Sequence, residues 1–359
     1  MSLKIRLQGC YVIFILSTRH IKNAIPNSQY SNEPGKAHYL ALPCNATSPD
    51  PNTHQLTQEQ WIKKLTQDAT TGHHPNQHPL AQFKTGNILF FVHGYNNSQE
   101  EVIQRHKLLD THLKQHGFTG TIVSFDWPCA TYTLNYLEDR MDAYQSALQL
   151  VTAGITPLAI NQLKEHENQC DIDVHLLGHS TGAYVIREAF YQASKNRTLQ
   201  RIHWNVGQIC FIGADIARQS LHQDDSKSKP LFSQAARITN YQSPFDNALK
   251  ISNIKRAGLA PRCGRVGLPD DAPSHVVNVH CGDHWQQLTE PSEDQTIGNW
   301  THSWHFHCTH FAEDLAHTLQ GDIDRLAIPT RERVNGELQL KVKKADIPKK
   351  ERRRIKEWE

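Results

Sequence analysis

The stretch from Asp173 to Ala189 constrains the chain more than any other. Asp173-Val174-His175-Leu176-Leu177 runs directly into Gly178-His179-Ser180-Thr181-Gly182, and Ala183-Tyr184-Val185-Ile186-Arg187-Glu188-Ala189 then reads as an amphipathic helix. A strand that turns within a few residues into a helix leaves no room for side chains at the two glycines, and it forces the serine between them into a strained backbone with its hydroxyl projecting from the sheet. Such a turn requires a parallel sheet with helices packed on its faces. The flanking sequence fits: short apolar runs at 88–92, 121–125, 174–177, 206–212, 236–241 and 276–281 alternate with helical patterns at 100–116, 134–164, 183–193, 247–256 and 310–319. This alternation predicts an α/β fold with a mostly parallel sheet covered on both faces.

The organisation expected is a core over 86–320, an N-terminal extension over 1–85 packed on it, and a C-terminal appendage over 321–359 that ends in a basic tail. The extension holds a strand candidate at 10–16, a polar Pro-, Asn- and Ser-rich stretch over 23–55 and a helix at 57–70. From Lys341 to Glu359 there are nine Lys or Arg against four Asp or Glu, so the tail carries +5 and the preceding 340 residues carry −3 of the net +2. The basic character therefore belongs to the tail, which is a candidate contact for an anionic surface; nucleic-acid binding is not expected of the core. The longest apolar run, Cys10 to Leu16, is far short of the ~20 residues that span a bilayer. It also lacks a small-x-small cleavage site, and Arg19 and His20 follow at once. Eight cysteines spread along the chain without a C-x-x-C pair read as reduced thiols, and the expected compartment is the cytoplasm.

A second motif lies upstream of the elbow. Ile88-Leu89-Phe90-Phe91-Val92 ends in His93-Gly94-Tyr95-Asn96-Asn97. When an elbow serine attacks a carbonyl, two backbone N–H groups must hold the developing oxyanion: one from the loop after this upstream strand, one from the residue after the nucleophile. The donors would be Tyr95 and Thr181. A serine hydroxyl also needs a histidine to take its proton and a carboxylate to fix that histidine's tautomer, in the chain order Ser, acid, His. The acids that follow strands beyond Ser180 are Asp246 and, in reserve, Asp215. The later histidines are His280, His284, His302, His305, His307 and His310, of which His302 precedes a helix at the expected place. Trp285 and Trp300 could wall an acyl group or simply pack.

With Val92-His93-Gly94-Tyr95-Asn96-Asn97, Phe125-Asp126-Trp127-Pro128 and Gly178-His179-Ser180-Thr181-Gly182 in place, the chain resembles a family of bacterial α/β hydrolases of unassigned substrate, over roughly residues 87–320. The resemblance implies the α/β-hydrolase fold and a serine hydrolase. It carries the acid onto Asp246, within Tyr241-Gln242-Ser243-Pro244-Phe245-Asp246-Asn247, and the base onto His302, where the family's Gly-His-Ser stands as Thr301-His302-Ser303. Thr181 replaces the family's usual Met after the nucleophile, which leaves the backbone donor intact.

The expected chemistry is cleavage of a small-molecule ester or thioester through Ser180, His302 and Asp246, with Tyr95 and Thr181 as the oxyanion hole and no cofactor or metal. Two competing readings remain at this stage. His302-x-x-His305-x-His307-x-x-His310, with Cys308, could hold a zinc ion that activates water instead of serine. Alternatively, the chain could be a non-catalytic interaction protein acting through its basic tail.

Overall fold

A computed structural model describes residues 11–22, 29–70, 84–129, 136–165, 170–250, 260–290 and 297–342. Eleven strands form one sheet in the order β10-β11-β9-β8-β7-β6-β4-β5-β1-β2-β3. They are β1 (Val12–Lys22), β2 (Gln29–Pro43), β3 (Gln55–Leu56), β4 (Lys84–Val92), β5 (Thr121–Asp126), β6 (Cys170–His179), β7 (Val206–Ile212), β8 (Ala235–Gln242), β9 (Val276–His280), β10 (Arg331–Val334) and β11 (Glu337–Leu340). From β11 to β1 every neighbouring pair is parallel; the outer pairs β1–β2, β2–β3 and β10–β11 are antiparallel. The fold is that of an α/β hydrolase.

The two faces of the sheet are sorted by strand alternation. In β4, Ile88, Phe90 and Val92 enter the larger apolar cluster, whereas Leu89 and Phe91 enter the second. Helices α1 (Gln58–Thr70), α3 (Tyr136–Gln149), α4 (Thr156–Glu165) and α5 (Thr181–Lys195) contribute to the first cluster; α2 (Gln99–Gln115) and the helix Thr309–Gln320 contribute to the second. Covered on both sides, the central strands need no polar face, which is why they read as continuous apolar runs. Helix starts follow side-chain caps. Ser98 and Glu101 form a reciprocal capping box at α2, and Thr57 and Gln60 exchange equivalent bonds at α1.

Strand order fixes where chemistry can occur. From β4 the chain steps outward to β5, then returns to the other side of β4 to make β6. In open α/β sheets the carboxyl ends of the strands at such a reversal of strand order, here β4 and β6, are where ligands bind.

Three elements differ from the sequence expectation. The polar stretch over 23–55 contains the 15-residue strand β2, whose polar residues face out while His38, Leu40 and Leu42 turn inward. Its alternate residues Ala37, Tyr39 and Ala41 pack half-buried against the larger apolar cluster, so the C-terminal half of the strand is apolar on both faces and the N-terminal half is polar. The helix expected over 134–164 is interrupted by a π-helical segment, Leu150–Ile155. There a Cβ on Gly154 would lie 3.1 Å from the Phe90 ring, so the segment's approach to the sheet depends on glycine. The region after 321 adds the β10–β11 hairpin to the sheet, closed by Asn335 at φ 50° and Gly336 at φ 86°; an Asn-Gly pair is the strongest short-range hairpin signal. The expected helix 247–256 falls mostly outside the described residues, as do the tail residues 343–359.

Candidate active site

Ser180 sits between β6 and α5 with φ 55° and ψ −123°, a conformation that costs about 1–3 kcal/mol and persists only where the surroundings enforce it. They do so closely. A Cβ on Gly178 would meet the Ala183 Cα at 2.8 Å, and one on Gly182 would meet the Val92 carbonyl oxygen at 2.1 Å. The Ser180 amide donates to Ile212 O, and its carbonyl accepts from the Asp215 amide, each at 3.0 Å. The elbow is thus tied to the turn after β7.

That turn also meets Asp246 and His302, the residues expected to serve as acid and base. Asp246 follows β8, where its Oδ1 accepts the Leu249 amide at 3.0 Å. Its Oδ2 accepts from His302 Nδ1 at 2.6 Å. His302 lies on the short helix Trp300–Ser303 and is buried to 8% exposure. Gly213, at φ 51°, packs against both: a Cβ there would lie 2.9 Å from His302 Cε1 and 3.2 Å from Asp246 Oδ2. With Nδ1 committed to Asp246, Nε2 is the nitrogen that can take a proton.

Asp215, the reserve acid, is committed elsewhere. It faces Arg262 at 3.1 Å, both side chains buried. The other histidines also have separate surroundings. His284 contacts Cys308 Sγ at 3.3 Å and donates from Nδ1 to Lys341 O at 2.9 Å; His310 bonds to the same carbonyl at 3.0 Å and to Glu313 at 3.3 Å. His280 Nδ1 accepts the Gly282 amide at 3.3 Å, and His307 Nε2 accepts the Ile297 amide at 3.4 Å. His305 stacks on Trp304 with ring centroids 4.0 Å apart, and burial pushes its pKa down to about 3. Among the described residues no group of three or more His, Cys, Asp or Glu side chains is arranged to hold a metal ion.

On the other side of Ser180 lies the loop after β4. A Cβ on Gly94 would touch the Ser180 Cβ at 2.8 Å, so the loop rests directly on the serine. Beneath it is a buried charged cluster. Arg19 of β1 donates from Nε to Asp126 Oδ1 at 2.8 Å, and Ser17 Oγ and Gln99 Nε2 donate to Oδ2 at 2.9 and 2.8 Å. Arg19 and Asp126 are exposed to only 2% and 1%.

Two groups at the site were not anticipated as participants. His179, next to Ser180, accepts from Arg105 Nη1 at 3.1 Å and donates from Nε2 to the His302 carbonyl at 3.2 Å. Burial, with His302 and Arg105 alongside, holds its pKa well below the usual histidine value, so it braces the His302 backbone as a neutral ring. Arg105 lies over the Phe306 ring at 4.9 Å, and desolvation lowers its pKa to about 10. His179 is inside the elbow motif and could have been flagged; nothing in the spacing pointed to Arg105 or Arg19. Trp285 stacks on Phe245 at 5.2 Å, beside Asp246, and Trp300 packs near His307 at 6.1 Å. A cavity of about 630 Å³ lined by Phe190, Trp204 and Phe232 shares no residue with this cluster.

The family described as "Alpha/beta hydrolase of unknown function (DUF900)" matches residues 71–299. No curated protein matches the chain. Among solved structures, a cutinase-like protein from Cryptococcus sp. aligns at 12% identity and a TM-score of 0.28, covering 65% of this chain and 92% of its own. A lipase-esterase related protein from Clostridium acetobutylicum ATCC 824 aligns at 14% identity and a TM-score of 0.27, covering 66% of this chain and 94% of its own.

Proposed function

We propose that this chain, which belongs to the α/β-hydrolase family of unknown function, is a serine hydrolase that cleaves carboxylic esters or thioesters of small molecules. Ser180 Oγ attacks the carbonyl while His302 Nε2 takes its proton. Asp246 keeps Nδ1 protonated and stabilises the imidazolium, and the Tyr95 and Thr181 amides hold the oxyanion. The proton on His302 then passes to the leaving group, and water repeats the sequence to release the acyl group from Ser180. α5 directs its positive end toward the same oxygen.

The observation that carries this reading is the 2.6 Å His302–Asp246 bond beside Gly213, one residue beyond the Ile212 carbonyl that pins strained Ser180. A 3.5 Å or longer separation of the pair would have left His302 without a fixed tautomer. Cys44, Cys129, Cys210, Cys263, Cys281 and Cys308 are free thiols, which supports a reducing, cytoplasmic setting. No helix among the described residues is long and apolar enough to cross a membrane. Contact of the basic tail with an anionic surface is kept as a proposal, and the reaction calls for no cofactor.

The test is hydrolysis of p-nitrophenyl esters with acyl chains of two to sixteen carbons, by wild type and Ser180→Ala, each with and without a chelator. The expected result is a kcat about 10⁴-fold or more lower in the variant, with wild type indifferent to the chelator. Comparable activity in Ser180→Ala would sink the mechanism, and loss with the chelator alone would move the chemistry to a metal.

A further inference from the structure

The peptide that joins Gly94 to Tyr95 is gripped at its carbonyl end. His93 Nδ1 donates to Gly94 O at 2.8 Å, and Asn97 Nδ2 donates to the same oxygen at 2.9 Å. A carbonyl oxygen only accepts, so His93 carries its proton on Nδ1 whether the ring is neutral or charged. In a trans peptide the C=O and N–H point in opposite directions. Two bonds to the oxygen therefore set the direction of the Tyr95 N–H and, by polarising the amide, strengthen it as a donor.

His93 is itself held from behind. Its ring stacks on Trp127 with centroids 5.4 Å apart, and Trp127 Nε1 donates to His93 O at 2.8 Å. Nε2 lies 3.2 Å from the Trp127 amide and 3.5 Å from Asp126 Oδ1. It accepts from the amide when neutral and donates to the carboxylate when charged. The titratable groups facing the ring are Asp126 and Cys129 from β5 and the loop after it, with Arg19 behind Asp126. Burial works against the imidazolium, but the hydrogen bond and charge of Asp126, with Cys129 alongside, outweigh it and raise the pKa of His93 to about 9. Burial likewise works against the Asp126 carboxylate, yet Arg19 and His93 hold it well below the usual range. Arg19 closes the circle: beyond Asp126 it bonds to Asn32 of β2 and reaches the Asn97 carbonyl at 3.4 Å.

We propose that His93 and Asn97 are positioning residues that aim the Tyr95 N–H at the oxyanion by holding the carbonyl of the same peptide, and that buried Asp126, anchored by Arg19 of the first strand, locks His93 in that role. The catalytic consequence rests on the serine-hydrolase reading. The arrangement gives separate tasks to the two sequence words His93-Gly94-Tyr95-Asn96-Asn97 and Phe125-Asp126-Trp127-Pro128: one aims the donor, the other holds the aiming residue.

The experiment uses the full chain with Asp126→Asn and Asn97→Ser, read in three ways: kcat and KM on p-nitrophenyl butyrate, the dissociation constant of a trifluoromethyl ketone that forms a tetrahedral adduct, and the ¹⁵N titration of His93. Asp126→Asn should lower kcat about 10- to 100-fold with KM within about threefold, weaken the ketone by a similar factor, and move the His93 titration down by more than one pH unit. Asn97→Ser leaves the charged cluster in place and should lower kcat about tenfold with KM unchanged. If both variants keep kcat within threefold while only the melting temperature falls, the cluster is structural and the proposal is overturned. If Asp126→Asn does not fold, Asn97→Ser decides alone. If Ser180→Ala retains activity the serine reading falls, while an unmoved His93 titration in Asp126→Asn would still overturn the clamp.

Discussion

On the side of Ser180 proposed to hold the oxyanion, the buried groups form a charged cluster: Arg19, Asp126 and a histidine whose pKa is raised. Around His302, the proposed base, the buried histidines among the described residues are His179 and His305, both with lowered pKa values. The difference fits what the proposed mechanism asks of each side. An oxyanion donor must keep one geometry throughout turnover, and a network of fixed charges supplies it. A general base must gain and lose a proton in each cycle, and permanent cations close to His302 would oppose its protonated form. Arg105, buried on that side, meets His179 at 3.1 Å.

The comparison can be broken first at the carboxylates. Asp246→Asn should lower kcat about 10³- to 10⁴-fold at neutral pH, because the histidine loses its correct tautomer. Asp215→Asn should leave kcat per folded molecule within about threefold while lowering the melting temperature through its partner Arg262. Equal losses of kcat in the two variants would end the assignment of Asp246.

A smaller effect is expected in stability. Arg19→Met strands Asp126 without its main cation, and breaking a buried pair on one side costs about 3–5 kcal/mol. Urea unfolding at pH 7 measures it, and a loss below about 1 kcal/mol would mean that the cluster is not held by charge.

The pH dependence should take opposite signs on the two sides. His93 has a folded pKa of about 9 against about 6.5 unfolded, so its contribution is complete below pH 6.5 and disappears as pH rises toward 9. That amounts to something on the order of 2–3 kcal/mol, read from urea midpoints between pH 6.5 and 9.5. His305, with a folded pKa of about 3, contributes above pH 6.5 and loses about 1.4 kcal/mol per pH unit as the solution is acidified below it. In Asp126→Asn the alkaline loss should shrink while the acid loss stays. The smallest effect is at His305 itself. Both its ring nitrogens are buried without a partner among the described residues, so His305→Phe should change stability at pH 7 by about 1 kcal/mol or less and flatten the acid limb of the urea profile. His106, His175 and His179 feed the same limb through their own lowered pKa values, so a slope unchanged by the substitution would remove His305 as one of its sources.

The central sheet was legible in the sequence because doubly covered parallel strands are continuous apolar runs. The run 206–212 and the strand Val206–Ile212 coincide. Strand β2 was hidden because only His38, Leu40 and Leu42 of its 15 residues are fully buried and its first half is polar. The elbow and the His93-Gly94 loop could be read because their requirements are local. Partners joined across the chain could not: Arg19 and Asp126 are 107 residues apart, and Arg105 and His179 are 74 apart, distances over which spacing says nothing about contact. The pairing of Asp246 with His302 could be expected only through the order of acid and base and the family resemblance.

The Arg19–Asp126 link also has a consequence for the order in which the molecule is made. At 5–20 residues per second of synthesis, β1 leaves the ribosome about 5–20 s before β5 exists to pair with it. During that interval Ile13, Phe14, Ile15 and Leu16 would be an exposed aggregation-prone segment, were it not that the next strand made is their antiparallel partner β2. The β1–β2 hairpin can therefore serve as its own temporary chaperone, keeping Arg19 ready until the aspartate it will meet has been translated.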